Sequence, residues 1–142
     1  MAQTDLYVDA GELGSFGGTG VAPYLGVQDY PDNYIADDGR NGLSGAFSFA
    51  NSAVTGTIST INLYLYGQDG ALGDCEALIN ESQTGGTFPT TMGWANVDVT
   101  SIIGTTWAGV DSAYVSFDRS NTANTTIVDA AYLAVVYTTA GI

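Results

Sequence analysis

Ile61-Asn62-Leu63-Tyr64-Leu65-Tyr66 decides the fold class. Ile61, Leu63 and Leu65 share one face of an extended chain, and Asn62, Tyr64 and Tyr66 share the other, a period of two that no helix produces. The same alternation recurs in Ala113-Tyr114-Val115-Ser116-Phe117, with Ala113, Val115 and Phe117 inward. Near the end, Ala131, Leu133, Val135 and Tyr137 lie on one face and Tyr132, Ala134 and Val136 on the other. Both of those faces are apolar or aromatic, which predicts a central strand covered on both sides. Further strands are expected at Asp5–Asp9, Pro23–Val27, Leu43–Ala50, Cys75–Asn80 and Trp94–Val99.

Turn residues separate these runs: Gly17-Gly18-Thr19-Gly20, Asp37-Asp38-Gly39, Gly67-Gln68-Asp69-Gly70, Gly85-Gly86 and Ser120-Asn121. Seventeen threonines add β-branched side chains that favour strands. Only Thr100 to Gly104 reads as a short helical turn, with Thr100 as its N-cap. The expectation is an all-β fold, a single-domain β-sandwich over 1–142. It is jelly-roll-like, with about eight antiparallel strands and a Gly-rich loop or arm near 11–20.

Composition excludes several kinds of chemistry. The chain has 142 residues with no histidine, one cysteine and two cations, Arg40 and Arg119, against fifteen carboxylates, for a net charge of −13. Histidine triads, His or Cys zinc sites and disulfide frameworks are therefore ruled out. Two cations cannot neutralise several phosphates, so no direct nucleic-acid partner is expected. No apolar run approaches the ~18 residues of a membrane span, and no membrane partner is expected. Met1-Ala2-Gln3-Thr4-Asp5 carries neither a basic segment nor an apolar stretch, so no export signal is expected there.

The strand order carries a resemblance. Asp5-Leu6-Tyr7-Val8-Asp9 is followed by Gly45-Ala46-Phe47-Ser48-Phe49, then by Val54 through Tyr66, then Trp94-x-x-Val97-Asp98-Val99-Thr100, and finally Ala131 through Tyr137. Over about half its length the chain resembles the DNRLRE-type β-sandwich modules of microbial surface proteins and some virion appendage domains. The family's acidic-arginine motif is absent, and its usual arginine-bearing strand reads Gly42-Leu43-Ser44-Gly45. The resemblance implies a non-catalytic, surface-displayed sandwich and transfers no functional residue.

Candidate site residues are few. Asp29, Asp32, Asp37, Asp38 and Asn41 form the densest carboxylate cluster, in a loop with glycines at 39 and 42. Hard oxygen ligands this close suit calcium, although the spacing is not an EF-hand and a solvated turn, in which Asp and Asn satisfy the local backbone, is the plainer reading. No other cofactor is expected. Tyr24, Tyr30, Tyr34, Trp94 and Trp107 could serve as sugar-stacking platforms, although aromatics in a sandwich more often fill cores or interfaces. Cys75 shares a face with Ala77 and Ile79 and reads as a buried, inert thiol. Ser48 and Ser116 have no general base of the usual kind to activate them.

The leading functional expectation is a non-enzymatic structural protein of a virus particle, an outer-face capsid decoration or appendage subunit. Its partners would be copies of itself and other virion structural proteins. Met1–Asp5, Thr138–Ile142 and the glycine-rich arm would reach neighbouring subunits, with strand addition as one mode. The alternative is a carbohydrate-binding module or filament subunit displayed outside the cell or on its surface.

Overall fold

The computed structural model describes residues 1–11, 17–18, 35–37, 42–43, 46–70, 75–119 and 126–139. In chain order these form β1 (Ala2–Gly11), β2 (Gly17–Gly18), β3 (Ile35–Asp37), β4 (Gly42–Leu43), β5 (Phe47–Phe49), β6 (Thr57–Gln68), β7 (Cys75–Ile79), β8 (Ser82–Thr87) and β9 (Gly93–Asp98). Two short helices follow, α1 (Thr100–Ile103) and α2 (Trp107–Ser112), then β10 (Tyr114–Arg119) and β11 (Thr126–Thr138). The expected Pro23–Val27 strand lies outside the described residues.

Every pairing is antiparallel, and the strands make two layers of a sandwich. In one sheet β11 is central: β6 runs along one edge with β9 outside it, and β1 and β3 share the other edge. The second sheet runs β1-β5-β10-β7-β8, with β4 also on β10. β1 belongs to both. Ala2–Tyr7 pairs with β11, and from Val8 onward the strand pairs with β5, with a register shift between Val8 and Ala10. A strand that changes sheets at a bulge makes a corner of the sandwich.

The inward faces follow the alternation seen in the sequence. Ile61, Leu63 and Leu65 of β6 and Leu133 and Val135 of β11 meet Phe47, Ala77, Ile79, Val115 and Phe117 of the other sheet, all fully buried. Two glycines permit close approach. A Cβ on Gly67 would strike the Ile127 carbonyl and the Phe88 ring, and one on Gly56, at φ 135, would strike the Thr138 carbonyl. Gly67-Gln68-Asp69-Gly70 is only partly a turn, because β6 continues through Gln68 and Asp69 is buried. The Asp69 carboxylate accepts the Cys75 N–H and the Thr126 hydroxyl, each at 2.8 Å. It thereby ties the ends of β6, β7 and β11 together.

Several local expectations change. Gly85-Gly86 lies inside β8, not in a turn; the turn of that hairpin is Asn80-Glu81, both at positive φ (52° and 68°). Thr100 opens α1 but does not cap it. Its Oγ1 accepts the Ile61 N–H at 2.8 Å instead, fastening α1 to β6. The unforeseen α2 is capped by Thr106, whose hydroxyl oxygen accepts the Gly109 N–H at 3.0 Å.

The described parts of the chain ends lie in the sandwich. Ala2 pairs with Tyr137 and Asp5 with Ala134, while Thr138 pairs with Thr57, so Ala2–Asp5 and Thr138 belong to the chain's own sheet. Ala140–Ile142 and most of the glycine-rich arm lie outside the described residues. No described helix is long and apolar enough to cross a membrane.

Candidate functional site

The outward face of the β1-β11-β6-β9 sheet is the candidate site. β11 is hydrogen-bonded on both edges, as expected of a central strand, but among the described residues no second layer covers its outer face at Tyr132. Aromatic side chains of the neighbouring strands shelter it instead. Register sets this up: Tyr7, Tyr132 and Tyr64 lie directly opposite one another on three adjacent strands. Trp94 of β9 lies opposite Tyr66 of β6, and Tyr66 opposite Ala130 of β11. Cross-strand neighbours on one face bring their Cβ atoms to roughly 5 Å, within reach of ring contact.

The rings have two orientations. Tyr7 and Tyr132 stack at 4.6 Å and 30°, and Tyr132 and Tyr64 stack at 4.9 Å and 2°. Stacking on both sides covers both faces of Tyr132, so its edge and hydroxyl are what solvent meets. Trp94 is turned across the stack, at 70° to Tyr64 and 72° to Tyr132, with centroids 6.4 and 5.4 Å away. It also lies 5.0 Å from Tyr66 at 50°. Because β6 separates β9 from β11, the approach to Tyr132 means that the indole leans over β6. Trp94 is 39 % exposed, while Tyr7, Tyr64, Tyr66 and Tyr132 are half-buried. A large aromatic surface left open beside supporting rings is available for contact.

Polar groups border the rings. The adjacent cross-strand row is Asp5, Ala134, Asn62 and Asp98, and Asn96 lies opposite Tyr64. Gln3 Nε2 donates to Asp5 Oδ1 at 2.9 Å. Burial, the Asp5 charge and the Tyr7 and Tyr64 hydroxyls all push the Tyr132 phenol above its ordinary range. At neutral pH it therefore keeps its proton. The Thr100 hydroxyl and backbone N–H hold Asp98 below the usual carboxylate value, so it is ionised. The face combines an indole plane, phenol hydroxyls, amides and carboxylates.

The sequence candidates fare unevenly. Trp94 is in the site. Trp107 is not: its Nε1–H donates to the Gly56 carbonyl at 3.0 Å and its ring meets Tyr137 edge-on at 5.4 Å, which makes it a support beneath α2. Tyr24, Tyr30 and Tyr34 lie outside the described residues. So do Asp29, Asp32, Asp38 and Asn41 of the calcium cluster, while Asp37 is described as the last residue of β3. No group of three or more potential metal ligands occurs among the described residues. Cys75 is buried and not in a disulfide. Sequence reading missed Tyr7, Tyr64, Tyr66 and Tyr132 as site residues. Their signal was the outward phase of each strand, but strand pairing was needed to put them side by side.

No family model and no curated protein matches the chain. Among solved structures it is similar to the CBM36-1 domain of a multidomain xylanase from the hindgut metagenome of Trinervitermes trinervoides. The identity is 18 %, the match covers 99 % of this chain and 100 % of that one, and the TM-score is 0.47. The expectation of an outer-face virion subunit is corrected here. The matched structure is a carbohydrate-binding domain, and of the terminal segments assigned to intersubunit contacts Ala2–Asp5 and Thr138 pair within the chain. The exposed aromatic row, not a likeness at this TM-score, is the physical ground for the alternative.

Proposed function

We propose that the protein is a carbohydrate-binding module that holds glycan chains on the outward face of the β1-β11-β6-β9 sheet and performs no chemistry on them. The observation that carries this reading is the Trp94 indole, exposed and braced crosswise against Tyr64, Tyr66 and Tyr132. Sugar rings present patches of C–H groups that pack on an aromatic plane, while their hydroxyls need donors and acceptors at its border. The phenols, Asn62, Asn96, Asp5 and Asp98 supply both kinds. A rigid platform limits the ordering cost of binding, since the tyrosine stack already fixes the indole. Such a module acts where polysaccharides are met, outside the cell or on its surface.

The test is native affinity electrophoresis through gels containing soluble polysaccharides, with pull-down on insoluble ones and tryptophan fluorescence as a second readout. The protein is expected to be retarded by at least one glycan, and Trp94→Ala to weaken that binding tenfold or more. Trp107→Phe, far from the face, should bind normally. Retardation that persists unchanged in Trp94→Ala would refute this placement of the site.

A further inference from the structure

We infer that the ligand of this face is an uncharged glycan and that polyuronates and sulfated glycans are rejected. This rests on the carbohydrate-binding reading above. The argument comes from the charge that surrounds the rings. Asp5 and Asp98 flank the aromatic row from its two outer strands, on either side of Ala134 and Asn62, and both are exposed.

Arg40 lies outside the described residues. Arg119 ends β10 in the opposite sheet, and the α-amino group belongs to Met1, before β1 begins. The whole chain adds a net −13 to the local field. A sugar hydroxyl approaching Asp5 or Asp98 donates to an ionised acceptor, which is a strong, short hydrogen bond. A sugar carboxylate or sulfate in the same place meets like charge at Asp5 and Asp98. That juxtaposition works against the wrong ligand instead of for the right one.

The same charges argue against a second copy of the chain as the occupant. Any face-to-face pairing of two copies would bring two sets of Asp5 and Asp98 together between molecules of −13 each. The polar border would then be desolvated against like charge.

The experiment is a paired binding series on the intact protein. One arm uses neutral gluco-, manno- and xylo-configured polysaccharides, and the other uses polygalacturonate, alginate and heparin, each at low and at high salt. At least one neutral glycan is expected to bind at least tenfold more tightly than every anionic one. Salt should leave neutral binding nearly unchanged and narrow the gap by screening the repulsion. Asp5→Asn with Asp98→Asn should raise anionic binding severalfold while lowering neutral binding only modestly. Binding of an anionic glycan as tight as any neutral one overturns this inference and leaves the carbohydrate reading intact. No retention by either arm overturns the carbohydrate reading itself. Concentration-dependent dimerisation in sedimentation velocity that Trp94→Ala abolishes would assign the face to a second copy and overturn both.

Discussion

Replacing Asp69 by alanine should be among the most damaging single changes in this chain. Its carboxylate is fully buried and accepts the backbone N–H of Cys75 and the hydroxyl of Thr126, both at 2.8 Å, while its own N–H donates to the Pro89 carbonyl at 2.8 Å. A typical intramolecular hydrogen bond contributes about 1 kcal/mol net, and a buried donor left without its acceptor costs about 1–3 kcal/mol. The net expectation for Asp69→Ala is about 3 kcal/mol of destabilisation, or ~10 °C in melting temperature for a domain of this size. Asparagine can still accept from Cys75 through Oδ1 and donate to Thr126 through its amide, so Asp69→Asn should cost about half as much. Urea unfolding followed by tryptophan fluorescence measures both, and a double-mutant cycle with Thr126→Val should give a coupling of about 1 kcal/mol. A change below ~0.5 kcal/mol in Asp69→Ala, the range of ordinary surface substitutions, would refute the assignment of Asp69 as a tie between three strand ends.

Other outcomes follow from single features. Glu81 sits at φ 68° in the two-residue turn between paired Ile79 and Ser82, a conformation that glycine adopts without strain. Glu81→Gly should therefore raise the urea midpoint by the equivalent of about 0.5–1 kcal/mol with an unchanged slope. Trp107→Phe keeps an aromatic ring beside Tyr137 but loses the donor to the Gly56 carbonyl, and should cost about 1 kcal/mol in the same assay without touching glycan binding. Asp98 has a folded pKa below its unfolded value because of the Thr100 hydroxyl and N–H. Its contribution is present above the ordinary carboxylate pKa and lost as pH falls through the lowered one, so Asp98→Asn should flatten the acid limb of a stability–pH curve. Tyr132 runs the other way. Its raised folded pKa gives a contribution that is complete below pH 10.0 and lost as pH rises through the folded value, and ultraviolet titration should show a late phenol absent from Tyr132→Phe.

The inward half of this molecule was legible in sequence because period-two alternation names the core residues directly. Ile61, Leu63, Leu65, Val115, Phe117, Leu133 and Val135 all point inward as the pattern predicts. β8 was not legible. Ser82-Gln83-Thr84-Gly85-Gly86-Thr87 has weak strand propensity, and it is held as a strand by β7 across a bulge between Ala77 and Leu78. Tertiary pairing overrode local preference there. α2 was missed because Trp107-Ala108-Gly109-Val110-Asp111-Ser112 is too short for a helical period, and its one clear mark is the Thr106 cap. The function was misjudged for a related reason. The missing histidine and lysine exclude much chemistry but do not separate an assembly subunit from a binding module, and the aromatic row that supports the second reading is made by pairing facts.

Those pairing facts have a single physical origin. Side chains alternate along every strand, so sliding one strand by one residue exchanges its buried and exposed faces. A one-residue slip of β6 against the core would turn Tyr64 and Tyr66 inward and leave Leu63 and Leu65 in water. The apolar side chains of β6 and β11 resist that exchange, since each buried leucine is worth about 1.5–3 kcal/mol over exposure. The force that closes the core therefore also holds Tyr64 opposite Tyr132 and Tyr132 opposite Tyr7. No separate stabilisation of the outward row is required, and Trp94 inherits its brace from the same register through Tyr66. A face positioned in this way can vary in its exposed residues without endangering the fold. Changes of ligand preference should accordingly map to outward positions such as Asp5, Asn62, Trp94, Asn96 and Asp98, and losses of stability to their inward neighbours.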